Sequence, residues 1–216
     1  MTLEELRRRC REKSGDAKNK PYLWSDDDWR DYFNEAANEA CIRARLIEQE
    51  DIELDHSAND AYADIPDHVW SVQRVTFNGR RMILCDKAML DDCEGENWES
   101  RTADTPIACY EIGGRLRFYP IPTTTGHVLA HGFCTPERPL VNDKDEPAWM
   151  RDRLHEKLMN WALHVAYSKQ DADTFNAGLA DKYESAFERD FGPRPDEKAM
   201  RRLRINVRRY VKGSFF

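Results

Sequence analysis

The sequence predicts an α+β fold that is mainly α: a helical bundle core with an inserted small antiparallel β-unit and an extended C-terminal arm. Apolar residues recur at helical spacing near both ends of the chain. Glycine-containing turns separate β-like runs in its middle. Basic residues crowd its C-terminal end. We therefore expect a body over residues 1–192, with the β-unit at about 60–140, and a basic docking arm over 193–216.

A capping box opens the first predicted helix, over about residues 2–13. Thr2 and Glu5 stand three residues apart, so each side chain can cap a free backbone N–H group of the first turn. A narrow apolar stripe follows at helical spacing, formed by Leu3, Leu6 and Cys10.

The second predicted helix has stronger signals and is expected over about residues 25–48. Ser25 and Asp28 form another capping box, and Trp24 and Trp29 occupy the positions of a hydrophobic staple. Because several residues of its apolar stripe are alanines, we expect another helix to approach it closely. The stripe consists of Trp29, Phe33, Ala36, Ala40, Ala44 and Ile47.

The middle of the chain changes to an alternating pattern that is typical of strands. An Asn-Gly pair at 78–79 and a Gly-Gly pair at 113–114 predict hairpin turns between β-like runs. Residues 126–134 add a fifth strand, which completes the predicted antiparallel β-unit. Residues 85–105 are acidic and irregular, so we expect a loop there.

Two more helices are predicted, over about residues 148–168 and 171–190. Asp171 is the expected N-cap of the second, and Gly192 followed by Pro193 stops it. The buried face of the first helix is predicted to hold Leu154, Leu158, Trp161 and Val165, with Ala162 and Ala166 beside it. That of the second is predicted to hold Phe175, Leu179, Tyr183 and Phe187.

Charge is divided unevenly along the chain, whose net charge is −7. Residues 191–216 hold eight Lys and Arg against two acids, a net of +6, so residues 1–190 carry −13. A basic tail on an acidic body indicates that the tail meets an acidic surface or a phosphate backbone.

Targeting and disulfide signals are weak. The first residues have no apolar run after their charges, so we expect no signal peptide, and no apolar stretch is long enough to span a membrane. The six cysteines are scattered without a CxxC pair, which favours free thiols in a reducing cytosol.

Candidate catalytic and metal-binding residues are few. His127 and His131 lie four apart with Cys134 nearby, but no fourth ligand is evident, so we interpret them as ordinary strand residues. Acidic clusters at 26–28, 48–51, 91–92 and 143–145 have the residue type of a glycosidase dyad. With 40 acidic residues, such clusters arise by chance. The chain has no GxGxxG, Walker A or GxSxG motif, so we predict no catalytic, cofactor-binding or metal-binding residue and no cofactor.

The arm has three interpretations. Its arginines can bind phosphates while its aromatic residues stack on bases, it can dock on a protein, or it can be a solvated tail. Leu203, Ile205 and Val207 alternate with polar residues, and this strand-like pattern favours docking in a protein groove. The predicted docking residues are Arg201, Arg202, Leu203, Arg204, Ile205, Val207, Arg208, Arg209, Tyr210, Phe215 and Phe216.

The order of these segments resembles that of the bacteriophage head-to-tail adaptor (connector) proteins. The family's opening helix resembles LWSDDDWRDYFNEAANEACIRARLIEQE, and its first strands resemble YADIPDHVWSVQRVTFNGRRM. Its central β-segment is similar to YEIGGRLRFYPIP and GHVLAHGFCTPERPL. Its closing helix pair is similar to the stretch from DEPAWMRDRL to FERDFG, including the W-A-L-x-x-A-Y and D-x-D-x-x-N elements. The likeness covers about residues 22–192.

The resemblance implies a structural virion protein without catalytic activity. Such adaptors form rings, commonly of twelve copies, under the portal protein at the head-tail junction. They extend the DNA channel and present a platform for tail proteins such as a tail nozzle or tail hub. The C-terminal segment commonly grips the portal, a role that falls here to residues 193–216. Assembly is then expected in the host cytoplasm, with no membrane partner. Phage DNA would pass without specific binding, in keeping with an acidic body that repels it.

Two alternatives come from other functional classes. A nucleic-acid-binding protein that uses the basic arm would show steep salt-dependent DNA affinity. A cell-wall-degrading enzyme with an acidic dyad would lose activity when those acids are replaced, and it ranks last.

Overall fold

The computed structural model describes residues 1–17, 21–169 and 174–196. Of these residues, 38% are helical and 24% lie in strands, and the strands include two four-stranded sheets. The predicted α+β class is therefore confirmed. The prediction of a mainly α protein with a helical bundle core is wrong, because sheets contribute far more of the structure than a small insert would.

The chain divides into two compact units. Residues 1–47 and 134–194 form the helical unit. Residues 48–133 form the β-rich unit, to which Pro195 and Asp196 also belong. Large buried apolar clusters lie within each of them.

The secondary-structure elements are given in chain order. The helices are α1 (Leu3–Ser14), α2 (Asp26–Ala44), α3 (Lys87–Glu94), α4 (Asp152–His155), α5 (Leu158–Ser168) and α6 (Ala177–Phe191). The strands are β1 (Ile47–Leu54), β2 (Tyr62–Asp64), β3 (Val69–Phe77), β4 (Arg80–Arg81), β5 (Ile83–Leu84), β6 (Thr102–Ala103), β7 (Ala108–Ile112), β8 (Arg115–Tyr119), β9 (Ile121–Pro122) and β10 (Val128–Cys134).

Both predicted capping boxes are confirmed. Thr2 accepts a hydrogen bond from the Glu5 backbone N–H, and the Glu5 carboxylate accepts one from the Thr2 backbone in return. Ser25 and Asp28 make the same reciprocal pair at the start of α2. The staple residues Trp24 and Trp29 meet edge to face, with ring centroids 5.5 Å apart. These local contacts fix where the first two helices begin.

Asp28 makes the stability of the helical unit depend on pH under acidic conditions. Its carboxylate accepts hydrogen bonds from the Lys169 ammonium at 2.8 Å and the Ser25 hydroxyl at 2.6 Å. Chiefly through Lys169, they lower the pKa of Asp28 from 3.8 to about 2. A lowered folded-state pKa stabilises the fold above the unfolded value and loses that stabilisation as pH falls through the folded value.

The Asp28→Asn variant should therefore lose less stability than the wild type between pH 4 and pH 2. Solvent screens this surface group, so we expect a difference of less than about 1 kcal/mol. Lys169→Met, which removes the main partner, should flatten the profile in the same way. Urea unfolding at a series of pH values measures both effects, and parallel profiles for all three proteins would contradict the assignment.

The helical unit packs α5 against α6 and α2, and α1 against α2 and α5. Its core contains most of the predicted helical stripes, and Ala36 and Ala40 of α2 are fully buried, as close helix approach requires. Buried residues on these faces are Leu3, Leu6, Cys10, Trp29, Phe33, Ala36, Ala40, Leu158, Trp161, Ala162, Ala166 and Phe187.

Helix α2 ends earlier than predicted, at Ala44 rather than near residue 48. Arg45 adopts a left-handed conformation with φ of 50°, which terminates the helix. The chain then continues as β1, in which Ile52 and Leu54 are buried and Glu53 between them is exposed. This alternation is a strand pattern. Ile47 is the first residue of β1 and not part of the helical stripe.

The last two predicted helices also begin later in the structure. Residues 148–151 precede the short α4, and α6 begins at Ala177 instead of residue 171. Asn176 caps α6 by accepting the Leu179 backbone N–H, while the predicted cap Asp171 lies outside the described residues. Phe175 precedes the helix and is 54% exposed, so its predicted place in the buried stripe is wrong.

The β-rich unit contains both predicted hairpins. β3 turns into β4 with Phe77 opposite Arg80, and β7 turns into β8 with Ile112 opposite Arg115. One sheet has the strand order β1-β10-β3-β4 and the other β2-β8-β7-β5. However, β5 pairs with β7 and β6 with β9 in parallel, so the unit is not wholly antiparallel as predicted.

Residues 85–105 are ordered rather than a loop. They form α3, a 3-10 turn at Trp98–Ser100 and strand β6. Trp98 is buried, donates its indole N–H to Asp91 at 2.8 Å and meets the rings of Tyr110 and Tyr119 edge to face. One aromatic residue in an acidic stretch therefore organises the segment.

Candidate functional site

Arg194, near the start of the predicted arm, contacts a buried carboxylate of the helical unit. Glu39 on α2 has a side chain that is only 7% exposed, and Arg43 donates to it at 2.7 Å from one turn later. Arg194, just after α6, places its Nε atom 3.6 Å from the same Glu39 oxygen. One carboxylate thus faces two guanidinium groups, and one of these belongs to the base of the arm. We call Glu39, Arg43 and Arg194 the arm anchor.

Arg43, the buried arginine of the arm anchor, packs against two aromatic rings. The Arg43 guanidinium lies 4.8 Å from the ring centroid of Trp161 and 5.3 Å from that of Phe187. Its side chain is 4% exposed. A desolvated guanidinium over aromatic faces gains a cation–π attraction as well as its ion pair. The arm anchor therefore joins α2, α5, α6 and the chain that leaves α6.

The docking residues themselves lie outside the described residues. This holds for the whole predicted set from Arg201 to Phe216, so their docking role stays a prediction from the sequence.

The candidate His-His-Cys set does not converge on one point. His127 lies 3.3 Å from the Glu53 carboxylate, and His131 lies 2.9 Å from that of Glu48. Cys134 is buried, and by strand alternation it points to the opposite face of β10 from His131. The two histidines tie β10 to β1. Among the described residues, no group of three or more His, Cys, Asp or Glu could hold a metal ion.

The acidic clusters make structural contacts. Those at 26–28 cap α2 and pair with basic side chains. Asp143 pairs with Arg7 at 3.1 Å. Asp145 accepts two backbone N–H bonds from its own loop, which lower its pKa. These partners give the clusters at 26–28 and 143–145 a structural role.

The six cysteines are free thiols, as expected from their scatter. Five are buried, and burial raises the pKa of Cys41 and Cys85 to about 12. Buried thiols held in the protonated form are poor nucleophiles. These two residues therefore serve packing.

Two edges of one sheet carry opposite charge. β1 and β4 are the outer strands of the order β1-β10-β3-β4. The acidic edge, on β1, consists of the exposed residues Glu48, Glu50, Asp51 and Glu53. The basic edge consists of the exposed residues Arg80 and Arg81 on β4 and Arg74 on the adjoining β3.

Neither edge was predicted. Glu48, Glu50 and Asp51 were interpreted as an acidic cluster that arises by chance, and Arg80 and Arg81 only as part of a β-like run after the Asn-Gly turn. The Asn-Gly turn at 78–79 followed at once by two arginines was an available signal, since charged residues are common on edge strands.

In the part of the chain that the structure describes, no helix is both long and apolar enough to cross a bilayer.

The family model described as SU10 adaptor protein matches residues 1–209. No curated protein matches the chain.

Proposed function

The chain belongs to the SU10 adaptor protein family, since that family's model covers residues 1–209 of its 216, and on this premise we propose that it forms a ring beneath the portal of a bacteriophage. Membership makes it a structural adaptor protein of a phage and a component of the virion. The family match is the observation that carries the proposal.

The proposed ring extends the DNA channel below the portal and offers an attachment platform for a tail nozzle or tail hub protein. We assign it twelve copies and assembly in the host cytoplasm. The charge distribution supports the channel role, because residues 1–190 carry −13 and repel passing DNA.

The arm is the proposed contact with the portal. Leu203, Ile205 and Val207 would fill apolar pockets as an added strand, and the neighbouring arginines would pair with acidic groups of the portal. The arm anchor supports this assignment, because Arg194 contacts Glu39 where the chain leaves α6.

Binding assays with portal rings distinguish the contribution of the arm's apolar residues from that of its arginines. Leu203→Asp, Ile205→Asp and Val207→Asp, combined in the full chain, should weaken binding to portal rings at least about 100-fold, since buried apolar anchors dominate such interfaces. The matched variant with Arg201→Gln, Arg202→Gln and Arg204→Gln keeps the apolar residues. It should bind about tenfold more weakly than the wild type, with a reduced salt dependence.

Co-sedimentation with portal rings measures both variants, and a DNA titration at low salt runs beside it. Wild-type portal binding from the apolar-arm variant would show that the arm does not dock in a groove. Tight DNA binding that only the arginine variant loses would favour the nucleic-acid-binding alternative.

A further inference from the structure

We infer that the acidic edge of one copy of this chain binds the basic edge of the next copy. The inference rests on the proposed ring and deepens it by naming the surfaces that join neighbouring subunits. Both edges belong to one sheet of the β-rich unit.

The basic edge has no ionic partner within the chain as described. Arg74, Arg80 and Arg81 are exposed, and none makes an ion pair with another described residue. Arg81 lies opposite Thr76 in the β3–β4 ladder, so it shares a sheet face with Arg74, two residues before Thr76. Arg80 lies opposite Phe77 and therefore on the other face, so three positive charges lie at one border of the sheet, two of them on the same face.

The acidic edge supplies the complementary charge. Glu50 and Asp51 are exposed and form no ion pair with a described residue. Glu48 faces His131 of β10 and Glu53 faces His127 just before it, but the two carboxylates remain 56% and 78% exposed. Four carboxylates thus lie along a strand of eight residues, which spans about 26 Å.

Charges on an edge strand also keep sheets from pairing indiscriminately, and either sign serves that purpose. Opposite signs on the two edges also select which edges can meet. Acidic edges repel each other and basic edges repel each other, so only acidic-to-basic contact is favourable. This contact is heterologous, and heterologous contacts generate a closed ring when the rotation between copies closes.

A second copy of this chain fits the two edges better than any other partner. A nucleic acid would match the basic edge and be repelled by the acidic one. A second copy matches both edges at once, and every copy in a ring then has both edges paired.

Charge reversal in the full chain tests the contact. One variant carries Arg80→Glu and Arg81→Glu, another carries Glu50→Arg and Asp51→Arg, and a third carries all four changes. Each single-edge variant should assemble on portal rings with at least about tenfold lower apparent affinity, because like charges meet at every junction. The fourfold variant should regain assembly, since the signs are exchanged and not removed.

Native mass spectrometry of the portal mixtures counts the bound copies. Arg151→Glu with Arg153→Glu is the matched control for the basic-edge variant, because it makes the same change in net charge at exposed arginines of the helical unit. It should assemble like the wild type. Circular dichroism confirms that each variant is folded.

Single-edge variants that assemble normally would overturn the inference, as would a folded fourfold variant that fails to regain assembly. In either case a wild-type ring on the portal leaves the proposed function standing. A wild-type chain that forms no ring would instead contradict the proposed function.

Discussion

Replacing Glu39 with alanine is expected to lower the free energy of unfolding of the helical unit by about 3–5 kcal/mol. Glu39 is the carboxylate of the arm anchor, and the Arg43 guanidinium that it pairs with is 4% exposed. Without Glu39, that guanidinium stays buried over Trp161 and Phe187 with no acid beside it. An uncompensated buried charge is one of the costliest defects that a single substitution can create.

Urea unfolding followed by tryptophan fluorescence measures this loss, because Trp24, Trp29 and Trp161 lie in the helical unit. Asp31→Ala on the same helix is the matched control. Asp31 makes a solvent-exposed ion pair with Arg30 at 3.4 Å, so its removal should cost less than about 1 kcal/mol. Equal losses for the two variants would show that the buried pair does not stabilise the fold.

The Trp29→Ala variant is expected to lose a similar amount of unfolding free energy, about 3–5 kcal/mol. Trp29 is fully buried, and its ring lies 5.5 Å from that of Trp24, 5.8 Å from Tyr32 and 6.4 Å from Phe33. Alanine would leave a cavity among these rings and remove one side of the hydrophobic staple at the start of α2. Helix packing resists collapse into such a cavity.

The Trp29→Phe variant tests whether Trp29 stabilises the fold through the packing of its ring or through its indole N–H group. The indole N–H of Trp29 has no hydrogen-bond partner among the described residues, so a phenyl ring removes a buried unsatisfied donor. We expect this variant to lose less than about 1.5 kcal/mol. A loss as large as that of Trp29→Ala, by the same urea measurement, would contradict the packing account.

Local signals in the sequence predicted the parts of the fold that local chemistry determines. The capping boxes at Thr2 and Ser25 each need only a side chain and the next turn of backbone. The hairpin at 78–79 needs two residues with positive φ, and Asn78 and Gly79 have φ of 49° and 76°. These elements were predicted because the residues that define them are neighbours in the chain.

Elements that depend on distant partners were not predicted. β1 is rich in glutamate, which has low strand propensity, and pairing with β10 about 80 residues later makes it a strand. The parallel pairing of β5 with β7 also joins short segments that are far apart in sequence. Propensity and periodicity within one window carry no information about such pairing.

The candidate site was predicted only in part. The arm was predicted from its charge and from the alternation of its apolar residues, and its docking role stays a prediction. Glu39 and Arg43 are one helical turn apart, but such pairs are usually solvent-exposed. Their burial depends on Trp161 and Phe187, and the approach of Arg194 depends on where α6 ends. None of this can be read from the segment around Glu39.

Electron microscopy of portal rings mixed with an excess of the full chain tests the central claim most directly. We expect an added ring of density on one face of the portal, built from copies of this chain around a continuous channel. Portal rings that keep their size and shape in the mixture, with the chain folded and in excess, would contradict it.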